Sequence, residues 1–169
     1  MARTWQLQIE ELTPEEFAPY GRMVSLPKTP APRKGPGWEC WYGFQALECK
    51  WPLYLGGVVT RHRPIVVNVM ERHTHTFEFL YPHDHDLIQP LGLPRDLDNP
   101  DAKPDPAAVK VFRIPVACAI IMHPGTWHSA SFPVSRDCTY GFACMEPDFE
   151  YVPEWVPFPG GDQVRVVGP

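Results

Sequence analysis

Proline restricts the fold of this chain more than any other residue, because it occurs 22 times in 169 residues. Proline lacks the backbone N–H and has a fixed φ angle, so it is excluded from helix interiors and from central strands. A chain this rich in proline must be built from many short elements joined by turns. Its hydrophobic fraction of 44% is still enough for a full core, and its length suits a single domain over residues 1–169.

Short apolar runs rich in β-branched and aromatic residues follow a Pro-rich stretch at residues 25–37. Turn residues separate most of these runs, which is typical of an antiparallel sandwich or barrel. One helix is predicted near the N-terminus, with Thr13 as its N-cap, Pro14 as its first residue and Glu16 at the capping-box position. A helical turn is also expected at Pro106–Ala108. The sequence therefore predicts an all-β fold with one short N-terminal helix.

Charge and hydropathy exclude several classes of protein. The formal net charge is −5 and no basic stripe is present, which argues against a nucleic-acid partner. No apolar run approaches the ~18 residues that a membrane helix needs, so no membrane partner is expected. The first residues lack the apolar core of a signal peptide, so a cytoplasmic protein is predicted. Five cysteines without a C-x-x-C pair are expected to be free thiols.

The stretch VMERHTHTFEFLYP places four ionisable side chains within a strand-like run. Because side chains alternate along a strand, Glu71, His73 and His75 would share one face, whereas Glu78 would not. A turn or bulge around residues 74–76 would bring Glu78 to that face. Carboxylates and imidazoles buried together suit either a divalent metal ion or metal-free proton transfer. The sequence leaves both alternatives open.

The stretch MHPGTWHSASF holds a second group of candidate residues. Pro124 and Gly125 predict a tight turn, with His123 before it and His128 at the start of the next strand. Trp127 has the opposite parity from His128, which favours a packing role for the indole. The turn would therefore aim one imidazole back into the sheet.

Together, the two stretches resemble the paired motifs of the cupin superfamily. Glu71 and His73 stand at the two histidine positions of the first motif, and Glu78 stands at its acidic position. His128 stands at the histidine of the second motif, whereas His85 replaces the glycine that usually closes the first. The resemblance implies a cupin-like double-stranded β-helix, a jelly-roll barrel with one site inside it.

Three blocks, EEFAPYGRMV, MERHTHTFEFLYP and MHPGTWHSASF, further resemble the bacterial ureidoglycolate lyase family, also called ureidoglycolate hydrolase. The matching residues are Tyr20, Gly21, Glu71, Arg72, His73, Pro82, His123, Trp127 and His128. This resemblance implies a cupin-type homodimer that cleaves a C–N bond in ureidoglycolate, a small-molecule substrate, to release urea and glyoxylate. A divalent metal is associated with some members of that family.

The resemblance also implies roles for individual residues. The expected catalytic residues are Glu71, His73, Glu78 and His128, with His73 or His128 as the base. The same four are the expected ligands of a divalent metal such as Ni, Zn, Fe or Mn, with His75 as an additional candidate. Substrate binding is expected at Tyr20, Arg61, Arg72 and His123.

The sequence also departs from the ureidoglycolate lyase pattern. Glu78 replaces the usual glutamine, His75 is an added imidazole, and an Arg-Gly-Gly-like stretch is missing where this chain has FACMEPDFEYV. The nearest arginines that could replace the missing one are Arg61, Arg63 and Arg72. A metal-dependent cupin of another class, a dioxygenase or an isomerase, and a non-catalytic small-molecule-binding cupin are the alternatives.

Overall fold

The computed structural model describes residues 2–43, 45–145 and 155–168. The strands are β1 (Thr4–Gln8), β2 (Glu10–Glu11), β3 (Gly21–Ser25), β4 (Arg33–Gly35), β5 (Trp38–Cys40), β6 (Leu53–Thr60), β7 (Val66–Val67), β8 (Val69–Met70), β9 (Glu78–Pro82), β10 (Leu87–Gly92), β11 (Lys110–Ile114), β12 (Cys118–Met122), β13 (Trp127–His128), β14 (Phe132–Pro133), β15 (Cys138–Met145), β16 (Val156–Pro157) and β17 (Gln163–Val167). The helical elements are α1 (Pro14–Phe17) and two 3-10 turns at Pro106–Ala108 and Pro159–Gly161.

Two five-stranded sheets form the body of the fold. One has the order β3-β12-β9-β15-β6, and the other has the order β13-β10-β11-β2 with β14 also paired to β10. Leu80 and Ile120 of the first sheet pack in one core with Leu91 and Phe112 of the second. The sheets therefore face each other as a sandwich, and the predicted all-β fold is confirmed.

A smaller sheet packs against the other face of the second five-stranded sheet. Strand β17 lies between β1, which runs parallel to it, and β7, which runs antiparallel. Val164 of β17 and Phe158 are buried in a second core with Val111 and Trp127. The two ends of the described chain are thereby tied to the sheet that carries the second histidine motif.

The predicted helix exists but is a single turn. The Thr13 hydroxyl accepts a hydrogen bond from the Glu16 backbone N–H at 3.2 Å, so the N-cap is confirmed. Phe17 at the end of the helix is fully buried. At Gly21, where β3 begins, a Cβ would lie 2.1 Å from the Ile121 carbonyl oxygen, so only glycine allows this close pairing with β12. The helix therefore anchors the N-terminal segment to the sandwich.

Two further predictions concern thiols and membranes. The five cysteines are thiols that form no disulfide, as expected: Cys40, Cys49, Cys118, Cys138 and Cys144. Within the part of the chain that the structure describes, no helix is both long enough and apolar enough to cross a membrane.

Candidate metal centre

The first motif reaches the sheet through a local break in strand geometry. Glu71 pairs with His128 through two backbone hydrogen bonds of 2.8 and 2.9 Å, directly after β8. The chain then bends at residues 74–76 before Glu78 opens β9. This bend brings the Glu78 side chain to the same cavity as Glu71 and His73, as the parity argument predicted.

The second motif is joined to the first through its tight turn. The Gly125 N–H donates to the His73 carbonyl oxygen at 2.6 Å, and His128 follows in β13. Gly125 has a φ of +81°, and a Cβ there would lie 1.9 Å from a Leu97 methyl carbon, so glycine is required on both counts. The turn thus fixes where His128 stands relative to His73.

Three side chains converge on one point. Nε2 of His73 lies 3.0 Å from Oε2 of Glu78, and Nε2 of His128 lies 3.1 Å from the same oxygen. The ligand atoms of these three residues all lie within 4.8 Å of one another, which is close enough to share one ion. Oε1 of Glu71 lies 3.6 Å from Nε2 of His128, beside the three rather than among them. We call His73, Glu78 and His128 the triad.

The other ring nitrogen of His128 fixes its tautomer. Nδ1 lies 3.0 Å from the Thr126 carbonyl oxygen, which can only accept, so Nδ1 carries a proton. Neutral His128 therefore presents a lone pair on Nε2 to Oε2 of Glu78. Both atoms are buried, and neither has a partner with hydrogen-bond geometry. Two lone pairs that face each other away from water need a cation between them, either a proton or a metal ion.

The pKa values show what happens when the cation is a proton. Burial by itself would raise the pKa of Glu78, but the interactions with His128 and His73 together outweigh it and lower the pKa to about 2. Burial by itself would lower the pKa of His128, but Glu78 and then Glu71 raise it to about 9. Without a metal ion, the triad therefore contains a buried Glu78–His128 ion pair.

The donor set fits a divalent metal ion. Two imidazoles and one carboxylate with open positions form the 2-His-1-carboxylate arrangement of non-haem iron sites, and Zn, Mn and Ni accept similar donors. Metal-bound histidines usually donate their other ring N–H to a carbonyl or carboxylate oxygen, as Nδ1 of His128 does to the Thr126 carbonyl oxygen. Glu71, at 3.6 Å from His128, is placed to be a fourth ligand or to act on a bound substrate.

A cavity of about 330 Å³ opens from the triad. Its walls are mostly apolar, and the residues that line it besides the triad and Glu71 are Val58, Leu80, Ser129, Ala130, Ser131, Tyr140, Phe142, Cys144 and Trp155. Among the described residues, no lysine or arginine lines it. Among the side chains that the structure describes, those of the triad histidines are therefore the only ones that could offer positive charge to a substrate carboxylate in this cavity.

Sequence reasoning missed most of these walls, although part of the signal was present. Tyr140, Phe142 and Cys144 alternate along YGFACM in β15, as residues on one face of a strand do. Ser129 and Ser131 alternate in the same way after His128. The alternation predicts that each set shares a face, but only the sheet pairing shows that both faces look into this cavity.

A buried polar network holds the segment after His128. The Gln89 amide nitrogen donates to the Ser129 carbonyl oxygen at 2.8 Å, and the Ser131 hydroxyl donates to the Gln89 amide oxygen. The Thr60 hydroxyl donates to the Ser131 carbonyl oxygen at 3.0 Å. The Tyr140 hydroxyl accepts from the Ser131 N–H at 3.4 Å. These bonds keep the cavity wall in place.

The structure does not bring Arg72 to the triad cavity, and its role in substrate binding stays a prediction. Its guanidinium donates to the carbonyl oxygens of Arg95 at 2.8 Å and Asn99 at 2.7 Å, and it lies 4.6 Å above the Trp127 ring. The reason is strand parity, since neighbours of an inward residue point outward. Arg72 therefore stabilises the surface loop between β10 and β11.

The structure does not bring Arg61 and Tyr20 to the triad cavity either, and their roles in substrate binding stay predictions. Arg61 is exposed and pairs with Asp137 at 2.8 Å. Tyr20 is buried in the core, where its ring contacts Phe17 and Phe112 at centroid distances of 6.3 and 5.6 Å. The Tyr20 carbonyl oxygen accepts a hydrogen bond from the His123 N–H. Tyr20 therefore supports the second motif through its backbone.

His75 and His123 line a different cavity of about 310 Å³, together with Arg22 and Lys50. His75 is exposed, because the bend at residues 74–76 ends the alternation that would have placed it beside His73. His75 is therefore not brought to the triad, which corrects its place in the predicted ligand set. His123 is not brought to the triad cavity either. The stretch FACMEPDFEYV is where the sequence departs from the ureidoglycolate lyase pattern, and its residues 146–152 lie outside the described residues.

Comparisons with known proteins assign no family. No protein-family model and no curated protein matches the sequence. Among solved structures, RmlC from Streptococcus suis in complex with dTDP-D-xylose aligns with a TM-score of 0.43 and 9% sequence identity. The alignment covers 62% of this chain and 50% of the RmlC chain, so this chain spans about half of that protein. A likeness this weak assigns no activity, and the triad is the basis for a functional hypothesis.

Proposed function

We propose that this protein is a metal-dependent enzyme that acts on a small 2-hydroxy acid, with C–N cleavage of ureidoglycolate or a close relative as its reaction. One observation carries the proposal. Two buried lone pairs, on Glu78 Oε2 and His128 Nε2, face each other at 3.1 Å at the wall of a cavity of about 330 Å³. Such an arrangement is suited to a cation, and the cavity is suited to a small ligand.

Lewis acidity is the chemistry that the ion adds. A divalent ion on His73, Glu78 and His128 would polarise the carboxylate and hydroxyl oxygens of a 2-hydroxy acid. This matters here because, among the described residues, no lysine or arginine lines the cavity to neutralise the substrate. With the metal ion in place, an arginine from the missing Arg-Gly-Gly-like stretch is less necessary for neutralising the substrate.

Glu71 is our candidate for the base. Burial raises its pKa above the ordinary range, although the charge of His128 opposes this effect. A carboxylate with a raised pKa takes a proton more readily at neutral pH. Because both imidazoles face Glu78, Glu71 rather than His73 or His128 would remove the proton from the carbinol hydroxyl. The electron pair of that O–H bond then forms the aldehyde C=O as the C–N bond breaks.

Tyr140 is our candidate for the acid. Burial raises the pKa of its phenol, so the group keeps its proton at neutral pH. Its oxygen already accepts from the Ser131 N–H, which leaves the O–H directed elsewhere. Tyr140 would donate this proton to the nitrogen that receives the C–N electron pair, so that urea leaves and glyoxylate remains. Solvent then returns the proton from Glu71 to Tyr140.

The direct test is product formation from ureidoglycolate. Purified protein is stripped with a chelator, reloaded separately with Zn, Mn, Fe(II) or Ni, and assayed for urea and glyoxylate. We expect equal amounts of both products with at least one metal, strong loss in His128→Gln, and no loss in the surface control Arg61→Gln. If neither product appears at high enzyme concentration with any of the four metals, the proposed reaction is wrong.

A second candidate function is oxidative. The triad is a 2-His-1-carboxylate set, and the cavity walls include Val58, Leu80 and Phe142, which suit an apolar substrate and a water-poor oxygen site. A dioxygenase would consume O₂ when the Fe(II) form meets its substrate. Oxygen uptake without urea release would support this alternative over the lyase.

A further inference from the structure

We propose that Arg63 forms an anion-binding subsite beside the triad cavity, and that the substrate is a relative of ureidoglycolate whose second negative group reaches this subsite. This inference rests on the proposed function, in which the 2-hydroxy acid group, the head of the substrate, binds at the triad. It adds a chemical class, namely 2-hydroxy acids with an anionic tail.

The subsite is a second cavity of about 310 Å³ that adjoins the first. Ser129, Ala130 and Trp155 line both cavities, so they form the wall where the two meet. Trp155 is 45% exposed, which leaves this boundary at the surface rather than sealed in the core. A ligand that extends from the triad past this wall would enter the second cavity.

Arg63 is the one charged residue among those known to line the second cavity, where the other polar side chain besides Ser129 is Asn68. Its guanidinium carbon lies 4.6 Å from the centroid of the Phe132 ring, and Nη1 donates to the Arg61 carbonyl oxygen at 3.0 Å. Stacking on the ring holds the guanidinium plane while most of its five N–H donors remain for other acceptors. Within the described residues, no carboxylate pairs with Arg63.

The two neighbouring arginines already bind other groups of the protein. Arg61 pairs with Asp137, and Arg72 donates to backbone carbonyls on the other side of the sheet. Of the three arginines near the first motif, Arg63 is the one that lines a cavity next to the triad.

Charge also separates the two cavities. Glu71 and Glu78 stand at the triad, so one metal ion would balance them and leave no net positive charge for a second anion. A second negative group on the ligand would gain from Arg63 and would be repelled if it stayed at the triad. The two cavities together thus favour a ligand with its charges at opposite ends.

Binding calorimetry on the zinc-loaded protein tests this subsite without relying on turnover. The probes share a 2-hydroxy acid head: glycolate has no tail, 2-hydroxyhexanoate has an apolar tail, and 2-hydroxyglutarate and 2-hydroxyadipate have anionic tails of two lengths. We expect Arg63→Gln to weaken at least one anionic-tail probe about tenfold, the range for a partly exposed hydrogen bond to a charged group. Glycolate and 2-hydroxyhexanoate should bind Arg63→Gln and wild type alike.

Arg61→Gln is the matched control, since the same substitution two residues earlier removes a guanidinium that pairs with Asp137 instead of lining the cavity. It should leave the affinity for all four probes unchanged. Equal affinities of wild type and Arg63→Gln for both anionic-tail probes would overturn the Arg63 subsite while leaving the lyase proposal intact. If none of the probes binds the zinc-loaded wild type, the head-group proposal fails and takes the subsite with it.

Discussion

Replacing Glu78 with glutamine tests whether one buried carboxylate controls the charge of the triad. The substitution keeps the shape of the side chain and removes its charge, and it installs the residue that the ureidoglycolate lyase pattern has at this position. In the metal-free protein, Glu78 is the main group that raises the pKa of His128 to about 9, against a burial effect that lowers it. In Glu78→Gln only Glu71 remains as a nearby carboxylate, at 3.6 Å.

The expected effect follows from the burial of His128. Without Glu78, burial dominates and the pKa of His128 should fall from about 9 to its ordinary value of 6.5 or lower. At about 1.4 kcal/mol per pH unit, this change corresponds to an interaction of about 3 kcal/mol. The lowered pKa of Glu78 reflects the same Glu78–His128 interaction, so the free energies derived from the two pKa shifts are not added.

Stability should follow the same interaction. Because the pKa of His128 is raised, its contribution is complete below pH 6.5 and is lost as pH rises through about 9. Because the pKa of Glu78 is lowered, its contribution is complete above pH 4.5 and is lost as pH falls through about 2. Between pH 6 and pH 10, wild type should therefore lose about 3 kcal/mol of unfolding free energy that Glu78→Gln does not lose.

Two assays on metal-free protein measure these changes. Nitrogen-15 spectra of the histidine rings between pH 5 and pH 10 follow the pKa of His128, whose signal is assigned by its absence in His128→Gln. Urea unfolding at pH 6 and pH 10 gives the change in unfolding free energy for both proteins. The reasoning is refuted if His128 titrates at the same pH with and without the Glu78 carboxylate.

Three further substitutions test what holds the site in place. Gln89→Leu removes the amide that binds the segment 129–131, and we expect a loss of about 2 kcal/mol in urea unfolding; a neutral effect would contradict the role of that network. Arg72→Gln should release the carbonyls of residues 95–99 and speed proteolysis there, while zinc affinity stays unchanged. A loss of zinc affinity would show that Arg72 contributes to the metal site after all. Gly125→Ala forces an L-residue to a φ of +81°, so thermal unfolding should show a loss of about 1–3 kcal/mol, and wild-type stability would disprove the strain.

The sequence predicts the triad well because its members are fixed by short-range rules. Strand alternation and the proline–glycine turn place His73 and His128, and the parity conflict of Glu78 requires the bend that the structure has at residues 74–76. The same bend explains why alternation predicts the wrong position for His75. The alternating pattern does not continue through the bend, so His75 does not share the face of His73.

Long-range packing explains what the sequence could not predict. The partners of Arg72 lie more than twenty positions away in a surface excursion without periodicity, so no local pattern indicates them. The walls formed by Phe142 and Cys144 depend on which strands pair with β15. The sequence does not distinguish Arg63 from Arg61 and Arg72, and only the packing places Arg63 at a cavity that adjoins that of the triad.

Zinc binding to wild type and triad variants is the most direct test of the central claim that His73, Glu78 and His128 form a metal site. In calorimetric titration of chelator-treated protein, wild type should bind a single ion per chain, and His128→Gln and Glu78→Gln should each weaken it by about a hundredfold or more. His75→Gln, which changes an exposed imidazole outside the triad, should bind as wild type does. The claim is contradicted if wild type binds no divalent ion, or if His75→Gln loses the ion while His128→Gln retains it.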